Sequence, residues 1–439
     1  MNASRPLRLG LIVPPISGHL NPAVSLAREL QERGHSVVAF GLPDASDRVA
    51  AAGIEFEAVG ADLHPRGTVP AWMRRQGELT GLAGMQWILH CLQLDNLASM
   101  HELPAALGRR PVDALMIDQI SYGAASVAQH QSLPYVTLCN ALPVHLDRSV
   151  PSFATSWAPA PPLIEGLRSF LGALPLRPWF AHHLRPLNAL RRAWNLPPLR
   201  PETLADSRLA VLSQQPAGFE FPRRRLPAHF HLTGPWFRED TRPAESFPYE
   251  RLDGRPLIYA SMGTLQNRIA SVFRIIAEAC ASLPVQLVLA LGTREASPLG
   301  DLPGSPVVVP FAPQLRLLRL ASLVITHAGL NTALEALAHG VPMVAIPVTN
   351  DQPGVAARLR ACGAGDCVPL HRLTVPRLRQ AVERVLQTPS FRQNATRLAE
   401  AIARDDGCRK AATILETVLA AVPRFSGQAP RPSAARIAA

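Results

Sequence analysis

The chain has 439 residues, of which 47% are hydrophobic and 18% charged, a composition typical of globular proteins and unlike that of disordered chains. This length allows two or three domains of ordinary size. The net charge is +11 and Lys410 is the only lysine. A GC-rich genome and an anionic partner are both consistent with such an arginine bias. The sequence carries no signature of a nucleic-acid-binding module, so we expect no nucleic-acid partner.

Apolar stretches are interrupted by Arg, Pro or His well before the roughly 18 residues that a transmembrane helix needs. The first apolar run, residues 7–13, is too short for the core of a signal peptide. We therefore expect a cytoplasmic protein. The six cysteines are scattered without zinc-site spacing, and reduced thiols are expected in that compartment.

The N-terminal half alternates strands and helices. The pattern predicts a strand over residues 8–13, a loop over 14–18, a helix that opens at Asn21 and Pro22 and ends at Gly34, and a strand over 36–40. This order is a βαβ unit of a parallel sheet. It recurs with strands over 114–117 and 135–138 around a helix that starts near residue 122.

The second half repeats the alternation after a change in composition. Residues 151–201, dense in Pro, Trp and Arg, are interpreted as a variable insertion, and residues 236–256 as a linker. The pattern then predicts strands over 257–261, 286–291, 307–310, 323–326 and 343–346, and helices over 271–281 and 331–339. The sequence thus predicts an α/β protein with two doubly wound domains, residues 1–235 and 257–422, and a disordered tail, 423–439. Ligands bind at the carboxyl ends of such strands, so a cleft should lie between the domains.

The most informative segment surrounds the strand-to-helix turn at residues 327–332. The free backbone N–H groups and the dipole of a helix start suit a diphosphate. Gly329 allows close approach of the backbone. Glu335 lies one turn into the helix, where it can accept from ribose hydroxyls. Asp351 and Gln352 follow the next strand, where they can bind sugar hydroxyls.

This spaced set resembles the signature of UDP-sugar glycosyltransferases of the GT-B fold, the family that includes plant secondary-product glucosyltransferases. Its members here are Phe311, Ala312, Gln314, His327, Gly329, Asn331, Thr332, Glu335, Asp351 and Gln352. Within the family, residues 329–332 and 351–358 look most like bacterial zeaxanthin glucosyltransferases. A weaker motif over residues 259–264, with Ser261, Gly263 and Thr264, resembles the family's phosphate loop.

The resemblance implies a role for each of these residues. Phe311 and Ala312 would face the uracil with Gln314 nearby, His327, Asn331 and Thr332 would contact the phosphates, Glu335 the ribose, and Asp351 and Gln352 the sugar. Plant members have Trp at the positions of Phe311 and Leu330. A phenylalanine keeps base stacking with less area, whereas the sugar contact at residue 330 is left open.

Two residues are candidates for catalysis. His19, in the turn over residues 17–22, can take a proton near neutral pH as an acceptor hydroxyl attacks. An isolated Gly-His more often packs or caps a loop, but the match to the family's Gly-His-x-Asn-Pro turn favours catalysis. Asp118 ends the predicted strand 114–117 and can orient an imidazole; the alternative is a capping or solvated aspartate. Asp113 begins that strand, at the opposite end of the sheet, and is the poorer candidate.

Together these residues predict a monomeric inverting glycosyltransferase that moves glucose from UDP-glucose to a hydroxyl of a lipophilic small molecule. No cofactor beyond the UDP-sugar and no metal is expected. The resemblance suggests a carotenoid acceptor such as zeaxanthin. A macrolide, flavonoid or glycolipid acceptor with another nucleotide-sugar donor is the alternative. A non-catalytic sugar-nucleotide-binding protein would need neither His19 nor Asp118, and a dinucleotide-dependent oxidoreductase would need a Gly-x-Gly-x-x-Gly turn that residues 14–19 lack.

A carotenoid is nearly insoluble in water, so we expect peripheral contact with the inner face of a membrane. Residues 167–200 have a suitable composition, with apolar groups to enter the interface and arginines to face anionic head groups. The apolar members are Phe170, Leu171, Trp179, Phe180 and Trp194, and the basic members are Arg168, Arg177, Arg185, Arg191 and Arg192. The alternative is that the aromatic side chains pack into the N-terminal domain and the arginines form a solvated face.

Overall fold

The computed structural model describes residues 5–144, 150–173, 177–200, 206–223, 226–265, 269–294 and 299–422. Two sheets form its framework, and every strand pair described in them is parallel. Helices lie between most successive strands. The prediction of an α/β protein with two doubly wound domains is confirmed. The predicted tail, residues 423–439, lies outside the described residues.

The N-terminal sheet comprises β1 (Arg8–Ile12), β2 (Ser36–Gly41), β3 (Glu55–Ala58), β4 (Ala114–Asp118), β5 (Tyr135–Cys139), β6 (Val211–Ser213) and β7 (Phe230–Leu232). Its strand order is β3-β2-β1-β4-β5-β6-β7. The accompanying helices are α1 (Ser17–Glu32), α2 (Ser46–Ala51), α3 (Thr68–Glu78), α4 (Gly81–Arg109), α5 (Tyr122–His130), α6 (Pro162–Ala173) and α7 (Arg177–Ala193).

The C-terminal sheet comprises β8 (Leu257–Ser261), β9 (Gln286–Ala290), β10 (Val307–Val309), β11 (Ala321–Thr326), β12 (Met343–Ala345) and β13 (Gly365–Cys367), in the order β10-β9-β8-β11-β12-β13. The helices of this half are α8 (Ala270–Cys280), α9 (Gln314–Leu320), α10 (Leu330–Ala338), α11 (Gln352–Ala361), α12 (Val375–Gln387) and α13 (Pro389–Asp405), followed by α14 (Gly407–Ala420).

The central strands are buried along their whole length because helices cover both faces of each sheet. All five residues of β4, β5, β8 and β9 are buried. In β1, Leu9 and Leu11 belong to the core on one face, whereas Ile12 joins Leu115 in the core on the other. The absence of a side chain at Gly10 lets Leu115 of the neighbouring strand pack against it, since a Cβ there would lie only 2.5 Å from the Leu115 side chain.

The strand order reverses between β1 and β4 in one sheet and between β8 and β11 in the other. At such a point the loops that follow the two central strands diverge to opposite faces and leave a crevice, which is where ligands bind in doubly wound sheets. The fold therefore gives each domain one ligand-binding crevice, at the carboxyl ends of its central strands.

The last helix requires a correction to the predicted C-terminal domain, residues 257–422. Helix α14 packs on the N-terminal domain, where Cys408, Ala411 and Leu415 share a buried core with Leu9 and Leu26. Its amphipathic spacing is visible in the sequence. Tertiary packing decides which domain buries the apolar face of this helix, because either core can bury an apolar stripe of this width.

The segment predicted to touch a membrane is partly buried. Arg191 is 2% exposed and donates hydrogen bonds to Ser126 Oγ at 2.6 Å and Gln129 Oε1 at 2.9 Å. Trp194 is half-buried and stacks on the His130 ring at 4.6 Å between centroids. The membrane role predicted for Arg191 is therefore wrong, because tertiary packing buries its side chain. Trp194 keeps part of its surface exposed, and its membrane role stays a prediction.

Other members of that segment divide between surface and interior. Phe180 lines the cavity between the domains instead of facing outwards. Arg185 and Arg192 are exposed, and Arg168 lies over the Trp157 ring at 4.7 Å. The side chains of Phe170, Arg177 and Trp179 lie outside the described part of the structure. No described helix combines the length and apolar character needed to cross a bilayer.

Candidate active site

Helix α1 begins at Ser17, earlier than the predicted start at Asn21, and Pro22 lies inside it. Proline has no N–H to donate to the carbonyl four residues before it, which is that of Gly18. This carbonyl instead accepts a hydrogen bond from the Asn331 side chain in the C-terminal domain. The proline thus leaves the Gly18 carbonyl, next to His19 in the sequence, without a donor in its own helix and available for a contact across the cleft.

The topology brings His19 and Asp118 together. Strand β1 leads into the turn of His19, and β4, which pairs with β1, ends at Asp118. His19 Nδ1 lies 2.7 Å from Asp118 Oδ2. Because a carboxylate only accepts, Nδ1 carries the proton and the neutral ring keeps its lone pair on Nε2. Within the described residues, Nε2 has no hydrogen-bond partner, and the ring lines the cavity.

Asp118 is 1% exposed and held by two further donors. The Asn140 amide donates to its Oδ2 at 2.7 Å, and the Ile120 N–H donates to Oδ1 at 3.0 Å. Asn140 follows β5, the strand next to β4, so three neighbouring strand ends supply the imidazole, the carboxylate and the amide. Their hydrogen bonds fix the orientation of the carboxylate that orients His19.

Burial and charge act in opposite directions on His19. Burial alone would lower its pKa, but the charge and hydrogen bond of Asp118, with a smaller contribution from the charge of Asp351, raise the pKa above 6.5. A proton accepted on Nε2 is therefore stabilised by Asp118, as expected of a general base paired with a carboxylate.

The thirteen residues predicted to bind the donor, from Ser261 to Gln352, are called the donor box, and they surround the crevice of the C-terminal sheet. The ring of His327 packs between Gly263 and Gly329. A Cβ atom on either glycine would come within 2.5 Å of the ring, so both positions need glycine. Burial lowers the pKa of His327 to about 4, partly offset by a hydrogen bond with the Ser261 backbone. His327 is therefore neutral near pH 7. Any contact with a phosphate would use its N–H group and not a positive charge.

The carboxylate of Glu335 already has two partners. Gln314 Nε2 donates to its Oε2 at 2.6 Å, and Arg242 donates to its Oε1. Tyr259 holds Gln314 in turn, with its hydroxyl donating to Gln314 Oε1 at 3.1 Å. Glu335 is 3% exposed, so this network fixes the carboxylate predicted to bind the ribose.

Contacts between the domains involve residues of the donor box. Asp351 Oδ2 accepts from the Leu142 N–H of the N-terminal domain at 3.0 Å, and burial raises the pKa of Asp351. The side-chain oxygen of Asn331 accepts from Gln214 at 2.6 Å. Gln352 Oε1 instead accepts from the backbone of its own loop, at Thr349. Asp351 and Asn331 therefore hold the two halves of the site together.

A cavity of about 1010 Å³ occupies the cleft. It is lined by His19 and by every residue predicted to bind the donor; Asp118 lies behind His19. The structure brings all fifteen predicted site residues to one place, and their individual roles stay predictions. The lining members of the donor set are Ser261, Gly263, Thr264, Phe311, Ala312, Gln314, His327, Gly329, Asn331, Thr332, Glu335, Asp351 and Gln352.

One part of the N-terminal side of the cavity is apolar. Helix α4 presents Met85, Ile88, Leu89 and Leu92, whose spacing of three and four residues puts them on one face. Phe180 of α7 also lines this side. The apolar side suits a lipophilic molecule that approaches His19.

Three contributors to the site were not predicted from the sequence. Asn140 comes directly after β5, as Asp118 comes at the end of β4. A search for polar residues at the carboxyl ends of the predicted strands would have found it. The apolar face of α4 has a helical period that was also visible. Arg242 lies in the linker, where no periodic pattern marks it. Its contact with Glu335 depends on how the two domains meet.

The fold and the site together define a nucleotide-sugar-dependent glycosyltransferase of the GT-B type. The chain belongs to the UDP-glucoronosyl and UDP-glucosyl transferase family, whose model matches residues 90–409. The model of the glycosyltransferase family 28 N-terminal domain also matches residues 17–107. The family predicted from the donor box is thus confirmed.

Curated relatives and solved structures agree with this family. The chain is 30% identical over 419 residues to a zeaxanthin glucosyltransferase of Pantoea ananas, covering 93% of this chain and 95% of that one. It is 29% identical to a 4'-demethylrebeccamycin synthase of Lentzea aerocolonigenes, covering 93% and 99%. The crystal structure of the glycotransferase of kitacinnamycin superposes with a TM-score of 0.73 at 24% identity, covering 94% and 99%.

Proposed function

We propose that the protein is an inverting glucosyltransferase that moves glucose from UDP-glucose to a hydroxyl of a lipophilic molecule, a carotenoid such as zeaxanthin. One observation carries the proposal: the free Nε2 side of His19 and the donor box share one cavity, with Asp118 on the other side of the imidazole. A protein that only binds sugar nucleotides needs no such polarised imidazole.

The reaction is a single in-line displacement. His19 Nε2 takes the proton of the acceptor hydroxyl, and the oxygen attacks the anomeric carbon as its bond to UDP breaks. The negative charge on the departing diphosphate is stabilised by the N–H groups and dipole at the start of α10. One displacement inverts the anomeric centre, so an α-linked donor gives a β-glycoside.

The acceptor is inferred from the apolar side of the cavity and from the relatives. The face of α4 lined by Met85, Ile88, Leu89 and Leu92 suits a hydrocarbon next to the reacting hydroxyl. The similarity to zeaxanthin glucosyltransferases favours a carotenoid. The similarity to a 4'-demethylrebeccamycin synthase supports the alternative, a different natural product with another nucleotide-sugar donor.

Glucose as the transferred sugar rests on Gln352, which resembles the residue of glucose-using family members. We also propose that transfer needs no metal. Among the described residues, no group of three His, Cys, Asp or Glu is placed to hold one. The positive end of α10 and neutral donors are available to the diphosphate instead.

The test is product analysis by mass spectrometry after incubation with an acceptor panel and competing UDP-glucose, UDP-galactose and a TDP-sugar. We expect zeaxanthin to gain hexose from UDP-glucose at an undiminished rate when EDTA is present. Selective modification of a macrolide or flavonoid would overturn the carotenoid proposal, and loss of activity in EDTA would overturn metal independence.

Replacing Glu335 with glutamine should weaken UDP binding by roughly 10- to 150-fold, since a hydrogen bond to a charged group contributes about 1.5–3 kcal/mol. Calorimetry with UDP measures this directly. The matched control is Glu400→Gln on the exposed surface of α13, which should bind UDP like the wild type. Equal UDP affinity in all three proteins would contradict the placement of the ribose at Glu335.

Peripheral membrane contact stays a prediction and now rests on α6. Ile164, Leu167 and Leu171 are each more than half exposed, and their spacing of three and four residues puts them on one helix face. Such a face favours a lipid interface. The arginines that would contact head groups are the exposed Arg185 and Arg192.

A further inference from the structure

Arg48 and Arg242 are two of the arginines that line the cavity and have no role in the proposed reaction. Arg48, half-buried in α2, donates to Ser17 Oγ at 2.7 Å and to Asn21 Oδ1. Both acceptors are neutral, and no carboxylate in the described chain forms an ion pair with Arg48. The second arginine is Arg242, from the linker.

Arg242 is held at the cleft by the residues that precede it. Arg238 pairs with Glu32 of α1, with a hydrogen bond of 2.8 Å, and Thr241 lies 3.1 Å from Ser25 of the same helix. From there Arg242 reaches across the cleft to Glu335. Its Nε is buried and has no hydrogen-bond partner among the described groups. The guanidinium therefore has donor capacity that its present contacts do not use.

The charges of the pair favour the binding of an anion. Burial lowers the pKa of Arg48 to about 10, and the positive charge of Arg242 contributes to this decrease. Two partly buried cations close to one another are unfavourable unless an anion lies between or beside them. Glu335 compensates only Arg242, and both arginines line the same cavity as the predicted phosphate contacts at Asn331 and Thr332.

We propose that Arg48 and Arg242 form the N-terminal half of the donor's diphosphate site, and that Arg242 transfers from Glu335 to the diphosphate when the donor binds. This inference rests on the proposed use of a nucleotide-sugar donor. In this structure Arg242 forms an ion pair with Glu335, the carboxylate that is predicted to bind the ribose hydroxyls. Binding of the ribose releases the guanidinium beside Arg48, where the two form charge-assisted hydrogen bonds with phosphate oxygens.

The experiment compares uridine with UDP. Calorimetry or competition gives the dissociation constant of each, and their ratio isolates the contribution of the diphosphate. In Arg242→Met and in Arg48→Met we expect this ratio to shrink by about 10-fold or more, as for loss of a hydrogen bond to a charged group. Uridine should bind to the Arg242→Met variant more tightly than to the wild type, because the guanidinium that competes with the ribose for Glu335 is gone. Arg242→Lys keeps the charge and should recover part of the ratio.

Arg377→Met is the matched control, since Arg377 is exposed on α12 and does not line the cavity. It removes the same charge and should leave the ratio unchanged. If uridine and UDP weaken by the same factor in Arg242→Met, Arg242 only supports Glu335 and the inference is wrong. If the wild type binds neither uridine nor UDP, the proposed donor itself is wrong. That result differs from a failure of the arginine pair.

Discussion

Replacing His19 with alanine should lower kcat by about 10²- to 10⁴-fold, the usual cost of losing a general base, while UDP binds as in the wild type. His19 belongs to the first turn of α1 in the N-terminal domain, whereas the predicted nucleotide contacts lie in the C-terminal domain. Its Nε2 faces the cavity, and Nδ1 is bonded to Asp118. Loss of the imidazole therefore removes the proton acceptor and leaves the donor box intact. Single-turnover kinetics with UDP-glucose, together with UDP calorimetry, measure both quantities.

The control is His101→Ala, since His101 is exposed on α4 and does not line the cavity. Its kcat should equal that of the wild type. A His19→Ala enzyme with full kcat would show that another group accepts the proton. Loss of UDP binding in the same variant would show that His19 acts on the donor.

Replacing Asp118 with asparagine is expected to have the second large effect, up to about 10⁴-fold in kcat, as for other Asp–His pairs in which the carboxylate is lost. An asparagine amide can donate to Nδ1 and so favours the tautomer that carries its proton on Nε2. The base is then blocked although its ring stays in place. Asp113→Asn is the matched control, because Asp113 flanks the other end of β4 and caps the Arg8 N–H at 2.7 Å. It should retain wild-type kcat.

The pH dependence gives a separate test of Asp118. His19 must be neutral to accept a proton, so kcat/KM rises with pH as the imidazolium loses its proton. Asp118 raises the pKa of His19 despite burial, so the wild-type rise should be centred above pH 6.5. In Asp118→Asn burial remains and the charge is gone, so the residual rate should rise at lower pH. An identical midpoint in both enzymes would show that Asp118 does not set this pKa.

Much of the fold and the site was predictable because strand ends are visible in the sequence. The predicted strand over 257–261 coincides with β8, and the helix predicted from residue 122 is α5. Parallel strands bring their carboxyl ends to one edge. For that reason, residues as distant as His19 and Asp118 could be expected to meet.

The remaining errors arise where tertiary packing decides. Arg191 lies in a segment whose composition suits head-group contact, yet each of its three guanidinium nitrogens donates a hydrogen bond inside the domain. Composition cannot distinguish a solvated guanidinium from a buried one that satisfies local carbonyls and amides. The start of α1 was missed for a related reason. Proline normally opens a helix, but Pro22 lies within α1, and the Gly18 carbonyl to which it cannot donate accepts a hydrogen bond from the other domain.

The bond between Asn331 and the Gly18 carbonyl has a consequence for side reactions. An enzyme that holds an activated sugar next to a general base risks delivering that sugar to water. Here the residue before the base is attached to the donor-binding helix, and separation of the domains must break that attachment. Opening the cleft to solvent therefore also moves the first turn of α1, which carries His19, away from the donor-binding helix. In an open cleft the general base is then no longer held next to the sugar, and this arrangement disfavours hydrolysis of the donor between turnovers.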